Sequence, residues 1–214
     1  MTVIAPAILA ETVEDFNAGV ERVAPFAQRV HVDISDGEFA PSFTVGSGQV
    51  SWPGNWQVDV HAMVARPSQH VQTLAELKPS MIIFHAEVEE DLAPVLAQVK
   101  QLGIKAGIAL LRPTVPKSVA HLIEIADHVM IFSGTLGQYG GMASLMQLEK
   151  VRLIRNIHPE VEIGWDGGAM IENIFSLSQG GIDVINVGGA INRADDPQAI
   201  YQQMVNETNK HGVI

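Results

Sequence analysis

Residues 29–34 read Arg29-Val30-His31-Val32-Asp33-Ile34, an alternation in which valine and isoleucine flank a histidine and an aspartate. In a β-strand residues i and i+2 share a face, so His31 and Asp33 project to the same side. Seven more short runs rich in valine and isoleucine occupy 3–9, 57–63, 81–85, 105–110, 128–132, 162–166 and 183–187. Most lack strict polar alternation, the pattern of strands covered on both faces of a parallel sheet. Amphipathic stretches between them predict helices over 13–23, 67–77, 92–102, 117–125, 143–156, 171–179 and 197–209. Thr12, Ser68 and Ser118 stand where N-caps are expected, and Gly103 and Gly180 where helices stop. The crossover at 35–56 carries Gly37, Pro41, Gly46, Gly48, Pro53 and Gly54, which predicts a long loop with at most a short helix.

Eight strands with interposed helices predict an α/β fold, a (β/α)8 TIM barrel, with residues 1–214 as one domain. A doubly wound sheet is the alternative. It uses fewer strands, and no G-x-G-x-x-G follows the first strand here.

Composition narrows the function classes. The chain is 47% hydrophobic, enough for a substantial core. No apolar run reaches the ~18 residues that a membrane helix needs. The apolar segment from Met1 to Leu9 has no basic flank, so no secretory signal is expected and the cytoplasm is the default location. The absence of cysteine excludes disulfides, thiolate ligands and a cysteine nucleophile. A net charge of −11 without a Lys/Arg cluster argues against a nucleic-acid surface. An anionic substrate would then be held by backbone N–H groups or a helix N-terminus.

In such a barrel the site lies at the C-terminal ends of the strands. His31 and Asp33 end the second strand, His61 the third and Asp166 the seventh, and all would face one mouth. Two imidazoles and two carboxylates suit a borderline divalent transition metal, and the carboxylates are able to move protons. Each alone has a plainer account, as a hydrogen-bonded core histidine or a turn-forming aspartate. Four at one depth point to a metal site. Asp36-Gly37 is ordinary turn chemistry. Asp59, two residues before His61, either orients an imidazole or is a loop-entry carboxylate. His85 and Glu87 either line the pocket or form a structural pair, and His121, His128, His158 and His211 are given no role.

Glycines mark three further places. Gly167-Gly168 and Gly188-Gly189-Ala190 follow strands seven and eight, where phosphate commonly meets backbone N–H groups, although strand-to-helix turns use glycine in any case. The run Gly134-Thr135-Leu136-Gly137-Gln138-Tyr139-Gly140-Gly141 predicts either a lid or a plain flexible loop. Met63 and Met170 offer soft apolar contacts at the mouth.

With these motifs in order, the chain resembles the ribulose-phosphate 3-epimerase family over essentially its whole length. The matching segments are Pro6-Ala7-Ile8-Leu9-Ala10, the run from His31 to Pro41 (H-x-D-x-x-D-G-x-F-x-P), Asp59-Val60-His61-Ala62-Met63-Val64, Phe84-His85-Ala86-Glu87, Trp165-Asp166-Gly167-Gly168 and Val187-Gly188-Gly189-Ala190-Ile191. The resemblance implies one divalent metal ion (Zn, Fe(II), Mn or Co) on His31, Asp33, His61 and Asp166. It implies that Asp33 and Asp166 face opposite sides of the substrate as the proton-transferring pair. It further implies phosphate at Gly167, Gly168, Gly188, Gly189 and Ala190, Met63 beside the enediolate, and a lid contributing Gly137, Gly140 and Gly141. The expected activity is metal-dependent epimerisation at C3 of a ketose phosphate, D-ribulose 5-phosphate first and allulose 6-phosphate as the alternative. A non-catalytic sugar-phosphate-binding barrel is the rival from another class. The expected partner is a small sugar phosphate, with no nucleic acid and no membrane, in a homo-oligomer. The rim departs from the family: Ala7 stands for a usual serine, Ser35 for methionine, Glu38 for histidine, Ser42 for asparagine, Leu111-Arg112-Pro113 for Asn-Pro, and Gly188-Gly189 for Gly-Ser.

Overall fold

The computed structural model describes residues 2–138 and 141–210, and the Gly140 and His211 expectations lie outside the described residues. Eight parallel strands close into a barrel in sequence order. They are β1 (Val3–Ile8), β2 (Arg29–Ser35), β3 (Gln57–Met63), β4 (Met81–His85), β5 (Lys105–Leu110), β6 (His128–Phe132), β7 (Glu162–Asp166) and β8 (Val184–Val187). Closure comes from β1 pairing with β8, Ala5 opposite Asn186. All eight expected strands are present, with ends that move by at most a residue.

The helices on the outside are α1 (Val13–Val23), α2 (Val71–Glu76), α3 (Leu92–Gln101), α4 (Ala120–Ile123), α5 (Glu149–Ile157), α6 (Ile171–Gln179), α7 (Gly189–Asn192) and α8 (Pro197–Thr208). Thr12 caps α1 as expected: its Oγ1 accepts from the Asp15 N–H at 3.1 Å, and Glu14 and Asp15 in the first turn suit the helix dipole. Ser68 and Ser118 are not N-caps. Each lies inside a 3-10 turn that starts one or two residues earlier, at Pro67 and Pro116. Proline opens a helical turn because its φ is preset and its missing N–H is not needed there. The sequence pattern also missed α7, a single turn whose Gly-Ala-Ile-Asn content is too short to show a period. The expected long loop spans residues 36–56, since Ser35 still belongs to β2, and it holds one short 3-10 turn, Ser47–Gln49.

The strand register sorts side chains by layer. His31 pairs with Asp59, Asp33 with His61, Phe132 with Asp166 and Asp166 with Asn186, so these residues share the barrel interior. The intervening residues, among them Val30, Val32, Val60, Ile163, Trp165 and Ile185, join the apolar layer under the helices. Inside the barrel, Met81, Ile83, Ala109, Met130 and Phe132 fill the β4–β6 side.

The N-terminal floor is ionic. Arg29 Nε donates to Asp59 Oδ2 at 2.6 Å, and its two terminal nitrogens grip Glu162 at 2.7 and 2.8 Å. His128 Nδ1 lies 2.8 Å from the same Glu162. Burial pushes the Glu162 carboxyl up, but the Arg29 and His128 bonds outweigh it and hold it well below the usual carboxylate range. A depressed carboxylate stabilises the fold above its ordinary pKa, and that stability drains away as pH falls toward the folded-state value. Glu162→Gln is expected to cost about 2 kcal/mol at neutral pH. It is also expected to flatten the loss of Tm on acidification below pH ~5, both read by thermal melts from pH 7 downward. An unchanged acid slope would count against this role for the floor.

Candidate active site

The C-terminal mouth opens on a cavity of about 280 Å³. Asp33, Met63, Asp166, Gly167, Gly168, Gly188, Gly189, Ala190, Gly137 and Gly141 all line it. His31 and His61 lie fully buried beneath Asp33 and Asp166. His61 Nδ1 is 2.8 Å from Asp33 Oδ1 and 3.8 Å from Asp166 Oδ2. His31 Nε2 is 3.3 Å from Asp33 Oδ1 and 3.9 Å from Asp166 Oδ2. One ligand atom from each of the four lies within 4.8 Å of the others, a grouping of acidic and histidine side chains unmatched among the described residues.

The donor set fits a metal ion. Ligand atoms bound ~2 Å from one centre lie up to roughly 4 Å apart, close to the observed spread. His31 is wholly buried, yet neither ring nitrogen has a hydrogen-bond partner among the described residues. A buried imidazole left that way is costly unless a lone pair is given to a cation.

The two carboxylates are driven apart electrostatically. Burial pushes both up. At Asp33 the His31 charge and the close approach of both imidazoles to Oδ1, at 3.3 and 2.8 Å, prevail and hold it well below the usual range. At Asp166 burial, reinforced by the Asp33 charge, prevails and raises it. The same two aspartates, with Asp59, raise His31 against its own burial.

Asp36 is a loop organiser: its carboxylate accepts from Glu38, Phe39 and Ala65 backbone N–H groups at 2.8, 3.0 and 2.8 Å. Asp59 lies within strand β3 on the floor with Arg29, rather than at a loop entry, and it bonds to a guanidinium, not an imidazole. His85 belongs to the site's support: its Nε2 is 2.8 Å from His61 Nε2, and its Nδ1 is 3.4 Å from Glu87 Oε2. Burial, aided by nearby His61, pushes His85 down to about 4. Met170 also lines the cavity, half-exposed, while Trp165 is core and its Nε1 donates to Gly167 O at 2.9 Å, anchoring the glycine turn. Gly167 and Gly168 adopt φ of 99° and 70°, and added Cβ atoms would strike the backbone of Gly134 and Ala143.

Three lining or supporting residues escaped the sequence pattern. Asn186 is buried on the cavity wall; its amide donates weakly to Met130 Sδ at 3.3 Å, and its Oδ1 has no partner among the described residues. A period-2 reading of β8 would have flagged it as the inward neighbour of Gly188. Arg193 brings a cation to the same wall, one helical turn beyond Gly189. Arg112 pins both ends of the segment 133–142: its Nε donates to Ser133 O at 3.0 Å and its Nη2 to Ser133 O and to Met142 O, the latter at 2.8 Å. Ser133 Oγ accepts from the Ser144 N–H at 2.8 Å, closing the neck of the loop.

A (β/α)8 barrel with two carboxylates and two imidazoles gathered at its mouth is a frame that suits an isomerase, and the comparisons with known proteins agree. The pattern of the ribulose-phosphate 3-epimerase family matches residues 3–192. The ribulose-phosphate 3-epimerase of Helicobacter pylori is 33% identical over 95% of this chain and 96% of its own. That of Escherichia coli is 28% identical over 97% and 96%. Among solved structures, 3-hexulose-6-phosphate synthase from Salmonella typhimurium superposes with a TM-score of 0.72 at 15% identity, covering 99% of this chain and 100% of its own, a likeness of fold. The chain belongs to the ribulose-phosphate 3-epimerase family and is an isomerase of the epimerase type.

Arg112→Met removes the pins but not the barrel. Amide exchange of Ser144 is expected to accelerate at least ~10-fold, one lost charge-assisted bond at ~1.4 kcal/mol or more, with amides of β2 unchanged. Hydrogen-exchange mass spectrometry reads both; equal protection of 133–144 in the two proteins would remove Arg112 from this role.

Proposed function

We propose that this chain interconverts D-ribulose 5-phosphate and D-xylulose 5-phosphate by epimerisation at C3. The observation that carries the proposal is that Asp33 and Asp166 face one cavity in unlike surroundings, which push the first below the usual carboxylate range and the second above it. Inverting a carbon beside a ketone requires a base on one face and an acid on the other, and a pair with separated pKa values supplies both. Asp33 Oδ1 is engaged by His61 and His31, which leaves Oδ2 to take the C3 proton. Asp166 Oδ2 faces the same imidazoles, which leaves Oδ1 to return a proton on the opposite side. In the reverse direction the two exchange roles. A divalent ion (Zn, Fe(II), Mn or Co) held by His31, Asp33, His61 and Asp166 supplies a Lewis acid for the negative charge that develops on the substrate oxygens.

The phosphate is assigned to the wall made by Gly167-Gly168 and by Gly188, Gly189 and Ala190, with Arg193 as the nearby cation. First-turn N–H groups have no partner within their own helix and are available to an anion. Met63 gives the cavity an apolar contact, and Gly137 and Gly141 line it from the chain that follows β6.

Metal-replete protein in deuterated water is expected to exchange the C3 hydrogen of ribulose 5-phosphate, followed by NMR. Binding without exchange, with ribulose and allulose phosphates both tried, would identify a sugar-phosphate binder instead. Asp33→Asn is expected to lower kcat by about 10³-fold and to weaken metal binding in parallel. Full activity in that variant would sink the assignment.

A further inference from the structure

We infer that Glu87 and His85 set the tautomer of His61, so that His61 presents a bare Nδ1 to the ligand cluster. The string begins at Glu87, whose Oε1 is tied by the Leu111 N–H at 2.8 Å and by the Thr114 hydroxyl. That anchoring holds its Oε2 3.4 Å from His85 Nδ1, an ionic approach longer than a formed hydrogen bond, and neither atom has a hydrogen-bond partner among the described residues. An ionised carboxylate only accepts. His85 faces it favourably only with a proton on Nδ1, and a neutral His85 then has a bare Nε2. The His85 ring cannot flip freely, since it is wedged between Phe39 and Phe132, with centroids 4.7 and 5.5 Å away.

His85 Nε2 and His61 Nε2 are 2.8 Å apart, a separation that holds one shared proton and repels with none or two. With His85 Nε2 bare, the proton belongs to His61 Nε2. His61 Nδ1 is then the lone-pair end, and it points at Asp33 Oδ1 at 2.8 Å. Two acceptors at that distance call for a positive charge between them. The polarity of the whole string is thus dictated from Glu87, about three side chains from the reacting centre. His85 and Glu87 are positioning residues, and their effect on the cation rests on the metal site assigned under Proposed function.

The test uses the whole protein labelled with ¹⁵N-histidine. Long-range ¹H–¹⁵N spectra of the zinc-loaded chain are expected to find His61 protonated on Nε2 alone and His85 on Nδ1 alone. His85 is expected as the same tautomer in metal-free protein, because Glu87 is present in both. A bare Nδ1 on His85 overturns the inference in either state. Wild-type protein that takes up no zinc overturns the metal assignment instead, and the His85 tautomer still decides the string. His85→Leu is expected to weaken zinc binding by about 10–100-fold in chelator competition, and His85→Gln, which keeps an acceptor, to recover most of it. Wild-type affinity in a folded His85→Leu protein overturns the inference. If that variant does not fold, Glu87→Gln decides: its amide faces His85 either way, and a mixture of His85 tautomers is expected in place of one.

Discussion

The closed parallel register is the constraint on which everything else depends. Once β1 pairs with β8, each strand has two neighbours and a fixed inward face. Because the side-chain period of a strand is two, a one-residue slip of β2 would carry His31 and Asp33 out to the helices and bring Val30 and Val32 into the cavity. The apolar layer beneath the helices resists that slip, since Val30, Val32, Val58, Val60, Ile163 and Ile185 are all buried there. Burial of each such side chain is worth roughly 1.5–3 kcal/mol. The same packing that stabilises the barrel therefore aims the site.

The interior is divided by chemistry. The β4–β6 side is apolar, built from Met81, Ile83, Ala109, Met130 and Phe132. Charge is confined to two depths: the Arg29–Asp59–Glu162–His128 floor and the His31–Asp33–His61–Asp166 mouth. At the floor a guanidinium is shared between two carboxylates, which compensates the buried charge directly. At the mouth no arginine or lysine is paired with Asp33 or Asp166, and both ring nitrogens of the buried His31 lack a hydrogen-bond partner among the described residues. An incompletely compensated buried cluster is expensive in a low-dielectric interior, and this one opens on the cavity.

The loops around the mouth have definite tasks. Leu111 holds Glu87 through its N–H and Lys150 through its carbonyl, while Arg112 next to it ties the two ends of the 133–142 segment. Gly137 in that segment has φ of 69° and packs against Ser42 of the long loop after β2. Three chain segments that are distant in sequence thus bear on one cavity.

The sequence by itself determined the barrel and the cluster. Eight valine- and isoleucine-rich runs spaced by amphipathic stretches admit few architectures, and His31, Asp33, His61 and Asp166 are each legible as strand-end residues. Local rules also located Thr12 as a cap, but failed at Ser68 and Ser118, where a neighbouring proline starts the turn. Only the tertiary structure decided the long-range partners. His85 looks the same in sequence whether it meets His61 or solvent, Asp59 whether it meets an imidazole or Arg29, and Arg112 whether it is a surface cation or a pin for residues 133 and 142. Asn186 and Arg193 likewise reach the cavity through the curvature of the sheet and one helical turn. Spacing along a chain reports which face a side chain shares with its near neighbours; which groups meet across the barrel depends on closure, and closure depends on all eight strands at once.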